Sequence, residues 1–204
     1  MIIKEEFIKS VGDFTSADGI AESLWRELEE KYCAATRHYH TLAHLDDMLI
    51  QLVPLRDAFE DWHAIVFAVA YHDAIYNSLR SNNEEKSALL AAKRLKSIGV
   101  PEERVRECQQ LIVATKRHEA ADYETNLFTD ADLSILGSDS DTYNRYLRNI
   151  REEYSMYPDF LYNPGRKKVL LHFLGMDSIF KTKEFFGPLE AQARKNLQAE
   201  LRML

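Results

Sequence analysis

Apolar residues recur every three to four positions along most of this chain, which is the spacing of one face of an α-helix. The first clear example is AESLWRELEEKYC, where we expect Ser16 to cap the helix. A second predicted helix follows Thr41 and places leucines at positions 42, 45, 49 and 52. A third follows Asp61 through WHAIVFAVAYHDAIY and is apolar on most faces, so we expect it to be central.

Helix start and stop signals divide the rest of the chain. Asn83 precedes a helix predicted for EEKSALLAAKRLKSIG, with Gly99 as its stop. Pro101 fits the first turn of the next helix, PEERVRECQQLIVATKRH. Beyond it, we expect ADYETNLF to be a connector and DADLSILG to be a short helix that ends at Gly137.

Three further helices are predicted toward the C-terminus, in DTYNRYLRNIREEYS, PGRKKVLLHFLG and KEFFGPLEAQARKNLQAELRML. Pro164 is expected to start the second, and Gly187 and Pro188 are expected to break or begin the third. No segment alternates apolar and polar residues for long enough to predict a sheet. The sequence therefore predicts an all-α fold.

The composition is that of a single globular domain. The chain has 204 residues, 46% of them apolar, and its seven glycines and five prolines are few and form no long linker. A chain of this length can bury a sizeable core. We therefore expect one domain over residues 1–204.

Charge and cysteine content exclude several classes of function. A net charge of −7 disfavours non-specific nucleic-acid binding, which depends on clustered Lys and Arg, but is compatible with a small phosphorylated ligand. Cys33 and Cys108 do not have the number or spacing of a structural zinc site or disulfide framework. The N-terminus carries acids where a signal peptide would be apolar, and no apolar run approaches membrane-spanning length. We expect a cytoplasmic protein without a membrane partner, and the sequence leaves its oligomeric state open.

The dipeptide His72–Asp73 is the first candidate for chemistry. It lies in the apolar stretch FAVAYHDAIY, where a carboxylate beside an imidazole is costly to bury without a partner. A metal ion would satisfy both groups, and RHYHTLAHL and TDADLSILG supply further ligand types. Two imidazoles and two carboxylates form a nitrogen and oxygen set that suits Mn, Fe, Co, Ni or Zn better than Ca, with Mg also a candidate.

Spacing alone leaves two choices open. His40 and His44 are four residues apart on one helix face, so either could ligate a metal. Asp130 and Asp132 are likewise alternatives, and Asp130 could instead cap the short predicted helix.

The order His44, His72–Asp73, Asp132 resembles that of the HD superfamily of metal-dependent phosphohydrolases, in particular a bacterial subgroup of predicted phosphohydrolases of similar length. The matching segments cover most of the chain: RHYHTLAHLDDML, FAVAYHDAIY, NNEEKSA, LIVATKRH, DADLSILG, IREEY and EAQARKNLQAEL. The resemblance implies an HD-type helical bundle, with the metal-site core at roughly 37–137 and additional C-terminal helices, 138–204, packed on it.

The resemblance also implies roles for individual residues. YHTLAH is similar to the YHxxxH pattern of cyclic-nucleotide phosphodiesterases, in which the second histidine binds metal and the first protonates the leaving group. Carried over, this makes His44 the ligand and His40 the general acid. ADLS, at 131–134, is similar to the segment with the last metal aspartate of those enzymes, which favours Asp132 over Asp130.

Five further polar residues are candidates for a surrounding role. His118 either caps the end of a helix or points into the site to bind phosphate or a second metal. Glu84 either stabilises its helix N-terminus or occupies the place where some HD relatives hold a second-metal ligand. Arg37, Lys116 and Arg117 flank the histidines and are either solvated charges or phosphate-binding cations.

The predicted reaction is hydrolysis of a phosphoester. A divalent ion on the four ligands would activate water for attack on phosphorus, and His40 would protonate the departing oxygen. The resemblance implies a nucleotide or related small phosphorylated metabolite as substrate, with monoester and diester both open. One alternative is a nucleotide-sensing module with little turnover. Another is an HD-type di-iron oxygenase, for which only His118 and Glu84 could supply extra ligands.

Overall fold

The computed structural model describes residues 1–204 and confirms the all-α fold. Ten α-helices are joined by loops and by two short 3-10 helices, Val53–Ala58 and Leu133–Gly137, and there is no β-strand. The α-helices are α1 (Ile2–Gly12), α2 (Ile20–Tyr32), α3 (Leu42–Leu52), α4 (Trp62–Tyr71), α5 (Asn83–Ser97), α6 (Glu102–Ala114), α7 (Tyr123–Asp132), α8 (Ser140–Glu153), α9 (Asp159–Leu174) and α10 (Lys183–Leu201). None of them is both long and apolar enough to span a lipid bilayer.

The chain divides into two compact units, Met1–Glu119 and Ala120–Leu204. The first contains α1 to α6 and the second contains α7 to α10. The expected arrangement of one domain, with a metal-site core at roughly 37–137 and C-terminal helices at 138–204, stays a prediction.

Helix α4 is the centre of the first unit, as its all-round apolar sequence predicts. Nine of its ten residues are buried, and it packs against α1, α3, α5 and α6. Asp61 caps its start as expected, because the side chain accepts hydrogen bonds from the backbone N–H groups of His63 and Ala64 at 3.0 and 3.3 Å. The helix ends at Tyr71 and does not continue through HDAIY as predicted, so the buried His72 and the adjoining Asp73 lie directly after its last turn.

The N-terminal helix α1 was not predicted, although its signal is present in the sequence. Ile3, Phe7 and Val11 lie at the four-residue step of one helix face, and all three are completely buried. The Phe7 ring contacts those of Trp25, Phe67 and Tyr71. This aromatic cluster joins α1 and α2 to the central helix.

Two further predictions of local structure are wrong, namely the cap of α2 and the connector at ADYETNLF. Ser16 does not cap α2; its N-cap is Gly19, whose φ of 74° lies in the left-handed region that glycine adopts readily. The connector expected at ADYETNLF is mostly helix α7. Asp122 caps it by accepting hydrogen bonds from the backbone N–H and hydroxyl of Thr125, at 2.9 and 2.7 Å. The short segment after α7 ends at Gly137 as expected.

The prolines of the C-terminal helices lie inside them, which also contradicts the prediction. Pro164 is the sixth residue of α9 and Pro188 the sixth of α10. Each removes one backbone donor, to the carbonyls of Phe160 and Glu184 respectively, near the helix start. Helix α10 continues because its burial and hydrogen bonds offset this loss: it packs against α7, α9 and the 133–137 turn. Gly137 allows that approach, since a Cβ there would lie 2.5 Å from the Leu189 Cβ.

Buried polar side chains of α10 organise the second unit. Glu200 accepts two hydrogen bonds from Arg166 of α9, at 2.6 and 3.0 Å, and one from Tyr143 of α8, at 2.6 Å. Asn196 donates to the carbonyls of Leu136 and Ser138, both at 2.9 Å. These residues satisfy buried groups on neighbouring elements, so their role is structural.

An ion pair in the first unit predicts a pH-dependent contribution to stability. Arg94 of α5 donates to both carboxylate oxygens of Glu27 of α2, at 2.6 and 2.9 Å. This hydrogen bonding holds the pKa of Glu27 below its usual range. A carboxyl with a depressed folded-state pKa stabilises the fold above its unfolded-state pKa, and this contribution is lost as the pH falls through the folded-state pKa.

We therefore expect Glu27→Gln to lower the free energy of unfolding at pH 7, and the difference from wild type to shrink below about pH 5. Urea denaturation at several pH values between 7 and 4 measures it. Glu30→Gln, at an exposed position of the same helix, is the matched control and should show no such trend. A Glu27→Gln difference that stays constant over this range would contradict the assignment.

Candidate metal centre

The candidate site begins where α4 ends. His72 is the C-cap residue of α4, and its backbone N–H still donates to the Ala68 carbonyl at 2.9 Å. Asp73 follows, and its backbone N–H donates to the hydroxyl of Tyr32 at 3.2 Å. Backbone hydrogen bonds therefore hold both residues in place, independently of their side chains.

The orientation of the His72 ring is determined by a backbone carbonyl. Its Nδ1 lies 2.9 Å from the Val69 oxygen, and since a carbonyl can only accept, Nδ1 carries the proton. In the neutral ring, Nε2 then presents a lone pair. The side chain is only 1% exposed, so this lone pair faces the protein interior rather than solvent. Metal-binding histidines commonly donate their other N–H to a carbonyl in this way.

Two polar atoms lie close to that nitrogen. His44, which is the third residue of α3 and is buried, places its Nε2 3.3 Å from Nε2 of His72. Asp73 places its Oδ2 3.2 Å from the same atom. Nε2 of His72 therefore faces both an imidazole nitrogen and a carboxylate oxygen, which are groups that one divalent cation can bind.

The distances from His72 Nε2 to His44 Nε2 and to Asp73 Oδ2 fit ligands of a single ion. Ligand atoms about 2.0–2.1 Å from a metal are about 2.9–3.4 Å apart at octahedral or tetrahedral angles. His44, His72 and Asp132 form a group that could hold a metal ion, because each offers one ligand atom. Asp73 is not in this group of three, although its Oδ2 lies against His72. The donor set of imidazoles and carboxylate suits a divalent transition metal.

Asp130, the alternative ligand, is occupied by structural contacts. Its carboxylate is completely buried and accepts hydrogen bonds from the backbone N–H groups of Lys181 and Thr182, at 2.9 and 2.8 Å. The Thr182 hydroxyl and Lys181 Nζ also donate to it, at 2.8 and 3.2 Å. Thr182 is the N-cap of α10, so Asp130 anchors the start of that helix rather than capping the short turn at 133–137. The choice of Asp132 as the metal-binding aspartate stays a prediction.

His40, the predicted general acid, lies beside Asp73. Its Nε2 is 3.8 Å from the Asp73 Oδ2, and its ring stacks on Tyr76 at 4.2 Å between centroids with 30° between planes. His40 lies in the loop before α3, so it does not share a helix face with His44 as expected, and the two ring centroids are 6.1 Å apart. The His40 side chain is 17% exposed, which leaves it accessible to a bound molecule.

Arg37 is neither a solvated charge nor aimed at an open site. Its guanidinium is buried and donates to the backbone carbonyls of His40 and Ala74, at 3.1 and 3.2 Å. A buried cation can be held in this way because two carbonyl dipoles replace part of its hydration. The phosphate-binding alternative considered for Arg37 therefore has little support from its position.

The remaining candidates have different surroundings. Burial raises the pKa of Glu84, and the nearby negative charge of Asp73 raises it further. Lys116 pairs with Glu85, and exposed Arg117 lies 3.6 Å from Glu119. None of these residues belongs to the group of three that could hold a metal.

His118 lies beyond the end of α6 in the left-handed region, with φ of 51°. Its backbone N–H donates to the Ala114 carbonyl at 3.1 Å. Its backbone thus contributes to ending the helix, while the choice between a capping and a ligand-binding role for its side chain stays open.

Three tyrosines around the site were not predicted as functional residues. Tyr32 accepts the hydrogen bond from the Asp73 backbone, Tyr39 stacks on His44 at 4.9 Å, and Tyr76 stacks on His40. Tyr32 was predicted only as an apolar position of α2. Adjacency to the histidine and aspartate motifs is the only sequence signal that could have identified Tyr39 and Tyr76.

Comparisons with models of protein families, with curated proteins and with solved structures found no match to this chain.

The different surroundings of the two aspartates predict different effects of substitution. Asp132→Asn should weaken binding of Zn²⁺ or Mn²⁺ by about 100-fold or more, because loss of even an outer hydrogen-bond partner costs up to about that much. Asp130→Asn should instead lower the free energy of unfolding by about 2–3 kcal/mol, because it removes charged hydrogen bonds to Lys181 and Thr182.

Isothermal titration with each metal and urea denaturation of the same two proteins test this pair of effects. Titration well below the unfolding temperature keeps the less stable variant folded. The assignment is wrong if the Asp130 variant loses the metal while the Asp132 variant keeps wild-type affinity.

Proposed function

We propose that this protein is a divalent-metal-dependent phosphohydrolase acting on a small phosphorylated compound. The observation that carries the proposal is the orientation of His72, whose Nδ1 donates to Val69 and whose Nε2 lies 3.3 Å from His44 and 3.2 Å from Asp73. This arrangement concentrates lone pairs and negative charge at one point beside a residue that can donate a proton. The resemblance of the same motifs to the HD superfamily favours phosphoester hydrolysis among metal-dependent reactions.

His44, His72, Asp73 and Asp132 are the residues that would hold the ion. A bound divalent ion supplies two kinds of chemistry, a lowered pKa for bound water and an offset for charge on phosphoryl oxygens. The protein's own contribution is rigidity: the imidazoles are buried, and the Val69 carbonyl holds His72 in the required tautomer. Preorganised ligands need no rearrangement during the reaction.

His40 is the residue that would protonate the leaving oxygen. Its Nε2 faces the Asp73 carboxylate at 3.8 Å, and the attraction between imidazolium and carboxylate keeps the ring edge turned toward the site. The Tyr76 ring packs against the face of the His40 ring and limits its rotation. A positioned general acid of this kind contributes about 10²–10⁴ to the rate.

The substrate class follows from the superfamily resemblance, which favours nucleotides and related phosphorylated metabolites. Monoesters and diesters are both compatible with the site. A sensing module with the same pocket would bind such a compound and be stabilised by it without releasing product, so the activity screen must include both turnover and thermal stabilisation.

Replacement of Asp73 tests the proposal most directly. We expect Asp73→Ala to remove most bound metal and to abolish phosphatase activity, because the carboxylate that balances the ion's charge is lost. Elemental analysis of the purified protein and a screen of nucleotides and sugar phosphates under several divalent ions provide the two measurements. EDTA should abolish wild-type activity, and added metal should restore it.

Asp57→Ala is the matched control, because Asp57 is an exposed aspartate in the 3-10 helix 53–58. It should retain wild-type metal content and activity. Full activity of Asp73→Ala with unchanged metal content would exclude the proposed site.

Replacement of His40 should separate metal binding from proton transfer. His40→Ala is expected to keep its metal, yet to lower kcat by about 10²–10⁴ for alkyl phosphates, which need protonation of the leaving oxygen. The loss for p-nitrophenyl esters should be much smaller, because p-nitrophenolate leaves without a proton. Equal losses for the two substrate types would rule out an acid role for His40.

A further inference from the structure

Arg37 connects the two loops that carry His40 and Asp73. One terminal nitrogen donates to the His40 carbonyl at 3.1 Å, and the other donates to the Ala74 carbonyl at 3.2 Å. His40 lies in the loop between α2 and α3, and Ala74 directly follows Asp73 in the loop after α4. Arg37 and Ala74 are 37 positions apart in the sequence, so this hydrogen bond joins two distant loops.

Aromatic rings hold the guanidinium in this bridging position. Its central carbon lies 4.7 Å from the centroid of the Tyr32 ring and 5.4 Å from that of Tyr76. Contacts of this kind with a desolvated cation are favourable. Tyr32 also accepts the hydrogen bond from the Asp73 backbone N–H, and Tyr76 also stacks on His40. Tyr32 therefore contacts both Arg37 and the Asp73 backbone, and Tyr76 contacts both Arg37 and the His40 ring.

We propose that Arg37 is a positioning residue that sets His40 against Asp73. It acts through backbone carbonyls and tyrosine rings, and it does not contact the substrate. This inference rests on the proposed function for its catalytic consequence, while the structural part, that Arg37 holds the His40 ring on Tyr76, is independent of any activity.

The bridge requires an arginine rather than any cation. The planar guanidinium presents donors in a rigid fork and stacks on aromatic faces, whereas a lysine ammonium is a compact point charge on a flexible stem. Lysine could reach one carbonyl at a time but could not reproduce both bonds and both ring contacts. Arg37→Lys should therefore show a partial defect, and Arg37→Met, which retains an apolar stem only, a larger one.

A double-mutant cycle tests whether Arg37 acts through His40. We expect Arg37→Met to lower kcat for an alkyl phosphate by about tenfold or more with KM within about threefold of wild type. Arg37→Met/His40→Ala should be no slower than His40→Ala alone, because the positioned acid is already absent. Multiplicative losses, or a KM effect larger than the kcat effect, would overturn the proposal, and the latter would indicate direct phosphate binding.

An activity-independent measurement separates this inference from the proposed function. The Tyr76 ring shifts the His40 Cε1 proton resonance by its ring current, and His40→Ala identifies that resonance in the proton NMR spectrum. In Zn²⁺-supplemented protein, we expect Arg37→Met to move it toward the value of a free histidine and Arg37→Lys to move it less. If wild-type protein hydrolyses no phosphoester, the proposed function fails and this resonance alone decides the role of Arg37.

Arg56→Met is the matched control, since Arg56 also stacks on an aromatic ring, that of Trp62 at 5.2 Å, but takes no part in the proposed site. It should leave kcat, KM and the His40 resonance unchanged. Dispersed methyl resonances establish that each variant is folded. If Arg37→Met does not fold, Arg37→Lys carries the test. An unmoved His40 resonance in the folded Arg37 variant overturns the proposal.

Discussion

The hydrogen bond from His72 Nδ1 to the Val69 carbonyl determines what the candidate site can do. The last carbonyls of an α-helix have no partner within the helix, and those of a buried helix are costly to leave unpaired. His72, as the C-cap residue of α4, satisfies one of them with its own ring. The same bond directs Nε2 toward His44 and Asp73. One hydrogen bond therefore both satisfies a carbonyl at the end of α4 and fixes the orientation of the His72 ring.

The apolar core gives this arrangement its rigidity. Almost every residue of α4 is buried among neighbouring helices, and close-packed side chains resist small displacements. The position of His72 is therefore set by residues such as Phe67 and Tyr71, which have no chemistry of their own in the proposed reaction. This is a physical reason for His72–Asp73 to lie in so apolar a stretch. Precise placement of ligands requires a packed scaffold, and the cost of burying the polar pair is offset by their contacts.

The parts of the molecule that the sequence predicted are those that depend on local pattern. The helical fold, the Asp61 cap and the central position of α4 follow from periodicity and capping. The residues that needed tertiary information were less predictable: Pro188 lies inside α10, where packing against neighbouring elements offsets the lost backbone hydrogen bond. For Arg37 the sequence left a solvated charge and a phosphate-binding cation as alternatives, because no local pattern reveals its two carbonyl partners. The preference for Asp132 over Asp130 came from resemblance, since spacing alone does not show that Asp130 is bound by the segment at 181–182.

Acids with little exposure in this chain differ in the groups that face them. Asp130 and Glu190 accept hydrogen bonds from several backbone N–H groups, and Glu200 accepts them from an arginine and a tyrosine. Hydrogen-bond donors therefore balance each of these negative charges. Asp73 instead lies 3.2 and 3.8 Å from imidazole nitrogens, one of which presents a lone pair in its neutral form. An acid whose charge is balanced by hydrogen-bond donors stabilises the fold without a bound cation. A carboxylate close to two imidazole nitrogens offers the mixed oxygen and nitrogen donors that divalent transition metals bind, and the metal site that we propose at His72 and Asp73 rests on this geometry.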